Sequence, residues 1–276
     1  MKGKRRIFLN LIVAAAFLIV VIVAFFSVFL LAEVRVRFVL GENGGAYEGE
    51  IRETLEAHRG KSLLFLDTEE IRKELAAYPY FEVKKLEKSY PNGLEVELSE
   101  RREMFLFESG GASYILDGTG FILAEGVQKD GLIRLTAKTF AEDVNVIDED
   151  IAVLSAEVGS ALSLEDGGLL SLVYQMSELA DYTDTIEEIE VRYGEIGGEV
   201  LMDEVVFHMR TGVEIWVSSA LDAGLDKMAL ALQAFNAGTD YQKSTRYIEV
   251  HRNRETNELE VSFTEHSPGG QAAGNG

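Results

Sequence analysis

The chain has 276 residues, 47% hydrophobic and 26% charged, enough for one large or two modest folded domains. It contains no cysteine, so disulfides, thiolate metal sites and cysteine nucleophiles are excluded outright. Its 47 Asp and Glu outnumber 26 Lys and Arg, a net charge of −21, which repels nucleic acid and anionic lipid headgroups and favours solubility.

From the N-terminus, Ile7 to Ala32 carries no charged residue and little that is polar besides Asn10 and Ser27. A helix of that length rises ~39 Å, more than the ~30 Å hydrocarbon core of a bilayer. A signal-peptide core runs only ~7–15 residues, and no convincing small-x-small cleavage site closes this one. A buried core helix rarely runs so long without a polar face. Residues 7–32 therefore read as a retained transmembrane helix. Lys2, Lys4, Arg5 and Arg6 precede it without an acid, whereas Glu33, Arg35 and Arg37 follow it mixed. The positive-inside rule then keeps residues 1–6 as a cytoplasmic tail and exports the rest, a single-pass type II topology. The exported part holds 22 Lys and Arg against all 47 acids, a formal charge of −25. Without disulfides it must be held by its own core, and ~240 residues suffice for that.

Val34, Val36 and Phe38 alternate against Arg35 and Arg37, a strand just outside the bilayer. Tyr47, Ile51, Leu55 and His58 fall on one helical face, and Gly60 ends that helix as a C-terminal cap. A second helix opens at Asp67, whose carboxylate can accept from first-turn N–H groups, with Glu70 three residues on as in a capping box. Ile71, Leu75 and Tyr78 are its buried stripe and Pro79 stops it. FEVKKLEKS and LEVELSE then form a hairpin across Tyr90-Pro91-Asn92-Gly93, since Asn and Gly tolerate positive φ. Phe81 and Val83 share a face that Leu86 leaves, which predicts a bulge or strong twist near Lys84-Lys85.

Strand, helix, helix, strand, strand within this stretch resembles the POTRA module of the bacterial division proteins FtsQ and DivIB. Gly60, Leu66-Asp67, Tyr90-Pro91 and Glu100-Arg101 match the family's pattern residue for residue. Its proline soon after Glu-Arg is absent, and Arg102-Glu103-Met104 stands there. The resemblance also covers a second, β-rich domain, more loosely. Phe105–Phe107, Tyr114–Leu116 and Phe121–Leu123 read as strands, the last two joined by Asp117-Gly118-Thr119-Gly120. Residues 126–165 are the least readable. Leu169, Leu172, Val173, Met176 and Leu179 mark a helix, followed by strands at 186–193, 200–209 and 213–217. Leu221, Leu225, Met228, Leu232 and Phe235 mark another. The stretch 245–251 looks like the family's tyrosine-containing penultimate strand, and Leu259 to Phe263 like its last. From His266 on, SPGGQAAGNG offers little apolar side chain to bury and reads as disordered. The expected class is α+β, divided into 1–6 tail, 7–32 transmembrane helix, 33–102 POTRA domain, 103–263 β domain with two or more helices, and 264–276 tail.

Chemistry is scarce. Asp117-Gly118-Thr119-Gly120 has no second carboxylate loop to make an acid-protease pair and reads as a hairpin turn. The acidic run 142–150 lacks the glycine a calcium loop needs at its sixth position, where Asp148 stands, and reads as a solvated loop. His58, His208, His251 and His266 are too scattered for a local metal motif, and no Gly-x-Ser-x-Gly elbow occurs. Trp216 reads as a strand residue rather than an exposed binding anchor. No catalytic residue, cofactor or metal ligand is expected.

The resemblance implies a non-enzymatic divisome scaffold in the cell membrane, enriched at the septum. It would bind FtsL-type and FtsB/DivIC-type bitopic coiled-coil partners, together with septal wall synthases, and regulate septal wall synthesis. The partner site implied falls on Arg246, Tyr247, Ile248 and Val250, with Leu259, Val261 and Phe263 on an edge strand open to strand addition. Plain strand packing is the competing reading of each. Two alternatives are a membrane-anchored wall or polysaccharide hydrolase, needing two acids ~5–9.5 Å apart beside a groove, and a POTRA-bearing export factor.

Overall fold

In the computed structural model, which describes residues 2–41, 45, 47–140, 147–165, 168–179, 184–196, 199–239, 246–253 and 255–266, the apolar N-terminal run forms α1 (Lys2–Val28). Its segment Asn10–Val28 has a mean hydropathy of 3.2 and is exposed throughout. A helix apolar on every side needs an apolar medium around it, and α1 has the length to cross one. The helix ends at Val28 rather than at the expected residue 32, because the backbone of 29–32 is hydrogen-bonded to the loops at 60–63 and 92. Leu63 N–H donates to the Phe29 carbonyl (2.7 Å) and Leu31 N–H to that of Lys61 (2.9 Å). Gly60 N–H donates to the Leu31 carbonyl, and Ala32 N–H to that of Asn92 (both 2.9 Å).

The chain divides into two units, Met1–Arg102 and Glu103–Gly276. After α1 the first contains β1 (Glu33–Val39), α2 (Glu48–Glu56), α3 (Thr68–Leu75), β2 (Phe81–Ser89) and β3 (Gly93–Glu100). Its sheet runs β1-β3-β2, with β1 parallel and β2 antiparallel to β3. The alternation in β3 puts Leu94, Val96 and Leu98 under the helices, where they meet Ile51, Leu55, Ile71, Leu75 and Leu31. Fully burying each such side chain contributes roughly 1.5–3 kcal/mol. The ladder of β2 shifts register between Val83 and Lys85, at the bulge that Leu86 demanded. Asp67 caps α3 by accepting from Glu69 N–H at 2.9 Å. His58 is buried between the helices, its Nε2 2.6 Å from Glu74 Oε2 and its Nδ1 2.9 Å from Lys61 Nζ. Lys61 can only donate, so Nδ1 accepts and Nε2 carries the proton toward Glu74.

The second unit holds β4 (Glu103–Ser109), β5 (Ala112–Asp117), β6 (Ile122–Glu125), β7 (Ile133–Phe140), β8 (Ile147–Asp150), β9 (Val153–Ser155) and β10 (Ser163–Leu164). Then come α4 (Leu169–Leu179), β11 (Ile186–Ile196), β12 (Glu199–Met209), β13 (Glu214–Val217), α5 (Gly224–Ala237), β14 (Tyr247–Arg252) and β15 (Leu259–Thr264). One sheet runs β15-β14-β13-β12-β11-β7-β4-β5-β6, with β8 also paired to β7. Hairpins alone do not build it. β4 is parallel to β7, β7 to β11 and β13 to β14, and parallel neighbours need a crossover, which α5 supplies between β13 and β14. α4 and α5 cover one face, over Phe105, Phe107, Leu135, Val191, Phe207, Ile215 and Ile248. The two helices approach so closely that a Cβ on Gly224 would lie 2.8 Å from Leu172 Cδ1.

α5 begins at Gly224, not at the expected Leu221, because Ala223 takes a left-handed φ of 55° and Leu221 N–H is bound by Asp203 Oδ2. Of the acidic run, 142–146 lies outside the described residues and Ile147–Asp150 is β8. Thr245 and the tail beyond His266 also lie outside the described residues, while Thr264 still belongs to β15.

Candidate partner-binding edge

Of the partner-site residues expected from the sequence, Tyr247, Ile248, Val250, Leu259, Val261 and Phe263 fall on two adjacent strands at one end of the large sheet, and Arg246 immediately precedes the first of them. β13 and α5 deliver β14 parallel to β13, and a tight turn returns β15 antiparallel along it, Val250 opposite Val261 and Ile248 opposite Phe263. Asn253 organises the turn, its Oδ1 accepting from Glu255 and Thr256 N–H groups at 2.8 and 3.1 Å. Arg252 clamps it, with Nε on Asp222 Oδ2 (2.8 Å) and Nη1 on the Asn257 carbonyl (2.9 Å). That hydrogen bond from Arg252 holds the Asp222 carboxyl below its ordinary range.

The direction of each backbone group on β15 follows from one bond. Asn253 N–H donates to the Glu258 carbonyl at 2.8 Å, which makes 253 and 258 a hydrogen-bonded pair. Alternation along an antiparallel ladder then joins Glu260, Ser262 and Thr264 to β14, and turns the N–H and C=O groups of Leu259, Val261 and Phe263 outward. Among the described residues no strand pairs with that outer edge.

Side chains divide by face. Ile248 and Val250 are fully buried in the main core, and Val261 and Phe263 pack partly against it. Tyr247 is half-buried on the other face, with the exposed Arg246 guanidinium 5.6 Å from its ring. The edge therefore offers main-chain groups, the rims of Leu259, Val261 and Phe263, and the Arg246–Tyr247 pair; Ile248 and Val250 fix β14 from beneath.

Next to the edge, the helix-free face carries a charged network that local sequence did not reveal. Arg192 lies over the Trp216 ring at 4.4 Å, so Trp216, only 4% exposed, is a packed strand residue. Arg192 also pairs with Glu190 (2.9 Å), and His208 Nε2 lies 3.5 Å from the same carboxylate. Burial opposes ionisation of Glu190, but hydrogen bonds from His208 and Arg192 outweigh it and hold its pKa at about 2. The hydrogen bond to Glu190 raises His208, against its burial. Burial raises Glu204, with Arg192 opposing. Lys227, 1% exposed, donates to the Ser218 and Ser219 carbonyls (3.0 and 2.7 Å) at the end of β13, and burial lowers its pKa. Its spacing of four from Ala231 put it on the buried stripe of α5, the one signal in the sequence that marked it.

A groove of about 790 Å³ beside α4 contains Asp150, Glu165 and Glu195, the acids a hydrolase would need. Asp150 is taken by Lys138 at 2.6 Å and Glu195 accepts from the Tyr193 hydroxyl at 2.7 Å. The Asp117 carboxylate is bound within its own turn by Thr119 and Phe121 N–H groups (2.8 and 2.9 Å). Among the described residues no three His, Asp or Glu cluster as a metal site.

Residues 39–101 match the family model of the POTRA domain, FtsQ-type. Over 180 residues the chain is 31% identical to a protein of Anaeromyxobacter sp. (strain K) named "Cell division protein FtsQ". That match covers 64% of this chain and 55% of the relative, so it spans little more than half of the relative's length.

Proposed function

Because the FtsQ-type domain and the similarity to a division protein support the FtsQ/DivIB family for this chain, we propose that it is a membrane-anchored, non-enzymatic scaffold of cell division. It holds bitopic partners of the FtsL and FtsB/DivIC types outside the membrane and through them acts on septal wall synthesis. The observation that carries this reading is the open edge of β15. A partner segment adds as a further strand on the outward groups of Leu259, Val261 and Phe263, main-chain bonds giving affinity and side chains specificity. Tyr247 and Arg246 stand one strand further in, beyond β15, with Tyr247 on the helix-free face. Of the three acids beside α4, Asp150 and Glu195 are engaged by Lys138 and Tyr193. α1, with a basic N-terminal flank, fits a single-pass anchor whose C-terminal side is extracytoplasmic.

Val261→Pro tests the mechanism. It removes an N–H that points to the open edge, while the ladder bonds of Glu260 and Ser262 to β14 remain. Capture of small single-pass coiled-coil proteins from solubilised membranes is expected to fall at least ~10-fold, the equivalent of ~1.4 kcal/mol, with the fluorescence of Trp216 unchanged. Capture at the wild-type level would refute strand addition at β15. Release of wall fragments by the purified chain would restore the hydrolase.

A further inference from the structure

At the α1 end of the first unit, two large aromatic rings are left open. Phe65 is 77% exposed and Tyr90 58% exposed, on separate loops that meet the last turns of the helix. Phe65 stacks on Phe26 with centroids 6.3 Å apart, and Tyr90 meets Phe29 edge-on at 6.3 Å. Phe26 lies inside the apolar segment Asn10–Val28, so its neighbour Phe65 stands level with the last turn of that segment. The backbone bonds of Phe29, Leu31 and Ala32 to 60–63 and Asn92 leave no slack linker between helix and domain. The charge pattern reverses here too. The loop 59–66 and the β2–β3 reversal at 88–93 carry Arg59, Lys61 and Lys88 and no acid of their own, although the chain as a whole is strongly acidic; Glu56 and Glu33 both stand next to Arg59. Arg59 pairs with Glu56, and Lys61 with His58, without leaving the surface.

We propose that this end of the POTRA domain is a lipid-docking surface, seated on the leaflet at the C-terminal end of α1. Phe65 and Tyr90 sit at the boundary between hydrocarbon and headgroups, where aromatic rings are favoured. Arg59, Lys61 and Lys88 lie among lipid phosphates, with their alkyl stems over the apolar layer. Two aromatic loops and the helix then hold the domain to the bilayer at three points. The inference rests on α1 crossing the membrane, and the experiment separates the two.

The absence of cysteine makes any introduced cysteine a unique labelling site. The full chain is reconstituted in phosphatidylethanolamine–phosphatidylglycerol vesicles with an environment-sensitive fluorophore on Ala15→Cys, Phe65→Cys or Leu40→Cys. Ala15 lies within the span, and Leu40 is an exposed apolar residue just past the far end of β1. Quenching by doxyl groups on the lipid chains is compared with quenching by aqueous iodide. The expected result is that the label at 65 follows the label at 15, several-fold more lipid-quenched than that at 40. With the label moved to Asn92→Cys, an exposed position outside the proposed side-chain contacts, Phe65→Ser plus Tyr90→Ser should abolish its lipid quenching; both rings are mostly exposed, so the fold does not depend on them. Lipid quenching at 15 with iodide quenching at 65 equal to that at 40 overturns the docking surface and spares the anchor. Lack of lipid quenching at 15 overturns both. Protection of position 65 in native membranes but not in vesicles overturns lipid as the occupant and assigns the rings to a protein partner.

Discussion

Gly120 shows how much a single residue can decide. It closes the Asp117-Gly118-Thr119-Gly120 turn at φ +80°, and a Cβ there would lie 2.3 Å from the Tyr174 ring. Alanine would meet both backbone strain and a collision with an aromatic ring of α4. Gly120→Ala is expected to destabilise the second unit by about 1–3 kcal/mol. Urea unfolding followed at Trp216 reads that unit alone, because it is the single tryptophan of the chain. The turn was legible in the sequence, since Asp-Gly-Thr-Gly is turn chemistry in any setting. The need for glycine against Tyr174 was not, because the two residues meet only when α4 folds over the sheet.

Among the elements, β11 and β12 place Glu190, Arg192 and His208 on one face, and their ionisation makes stability depend on pH. Glu190 is held at about 2 in the folded chain. Its contribution is present above its ordinary range near 4.5 and is lost as pH falls from there through the folded value. His208 is shifted upward from 6.5, so its contribution is complete below 6.5 and fades as pH rises through the raised value. Glu190 and Glu188 on β11 and Glu214 on β13 all act on it in that direction. His208→Gln should therefore lower the urea midpoint at about pH 5 and change it much less at about pH 9. An equal loss at both would mean that the ring acts by packing alone. This network was hidden from local reading because its members come from separate strands. The same cause hid the parallel pairings, whereas α2, α3 and the β2–β3 hairpin announced themselves by local period. β9 and β10, of three and two residues, are too short to show any period. On the candidate edge, the sequence located both strands, but which side chains turn inward depended on the register of β14 against β13.

On the scale of the whole molecule, the membrane segment and the first folded unit share residues. Leu31, 1% exposed, belongs to the core with Ile51, Leu55 and Leu94, although it precedes β1. A soluble version beginning at Glu33 loses that side chain and the two backbone bonds of Leu31, whereas one beginning at Phe29 keeps them. The shorter version should be less stable by about 2–5 kcal/mol, the usual cost of emptying a buried leucine site. Comparing the denaturant midpoints of 29–102 and 33–102 measures it, and equal midpoints would show that Leu31 is dispensable. The position of β15 has a consequence in time rather than in space. It is the last strand of the sheet to be synthesised, and its outward groups line up only once it lies along β14. Until it does, the sheet has no such edge, so in the proposed strand addition any capture of a partner segment would follow the folding of β14 and β15.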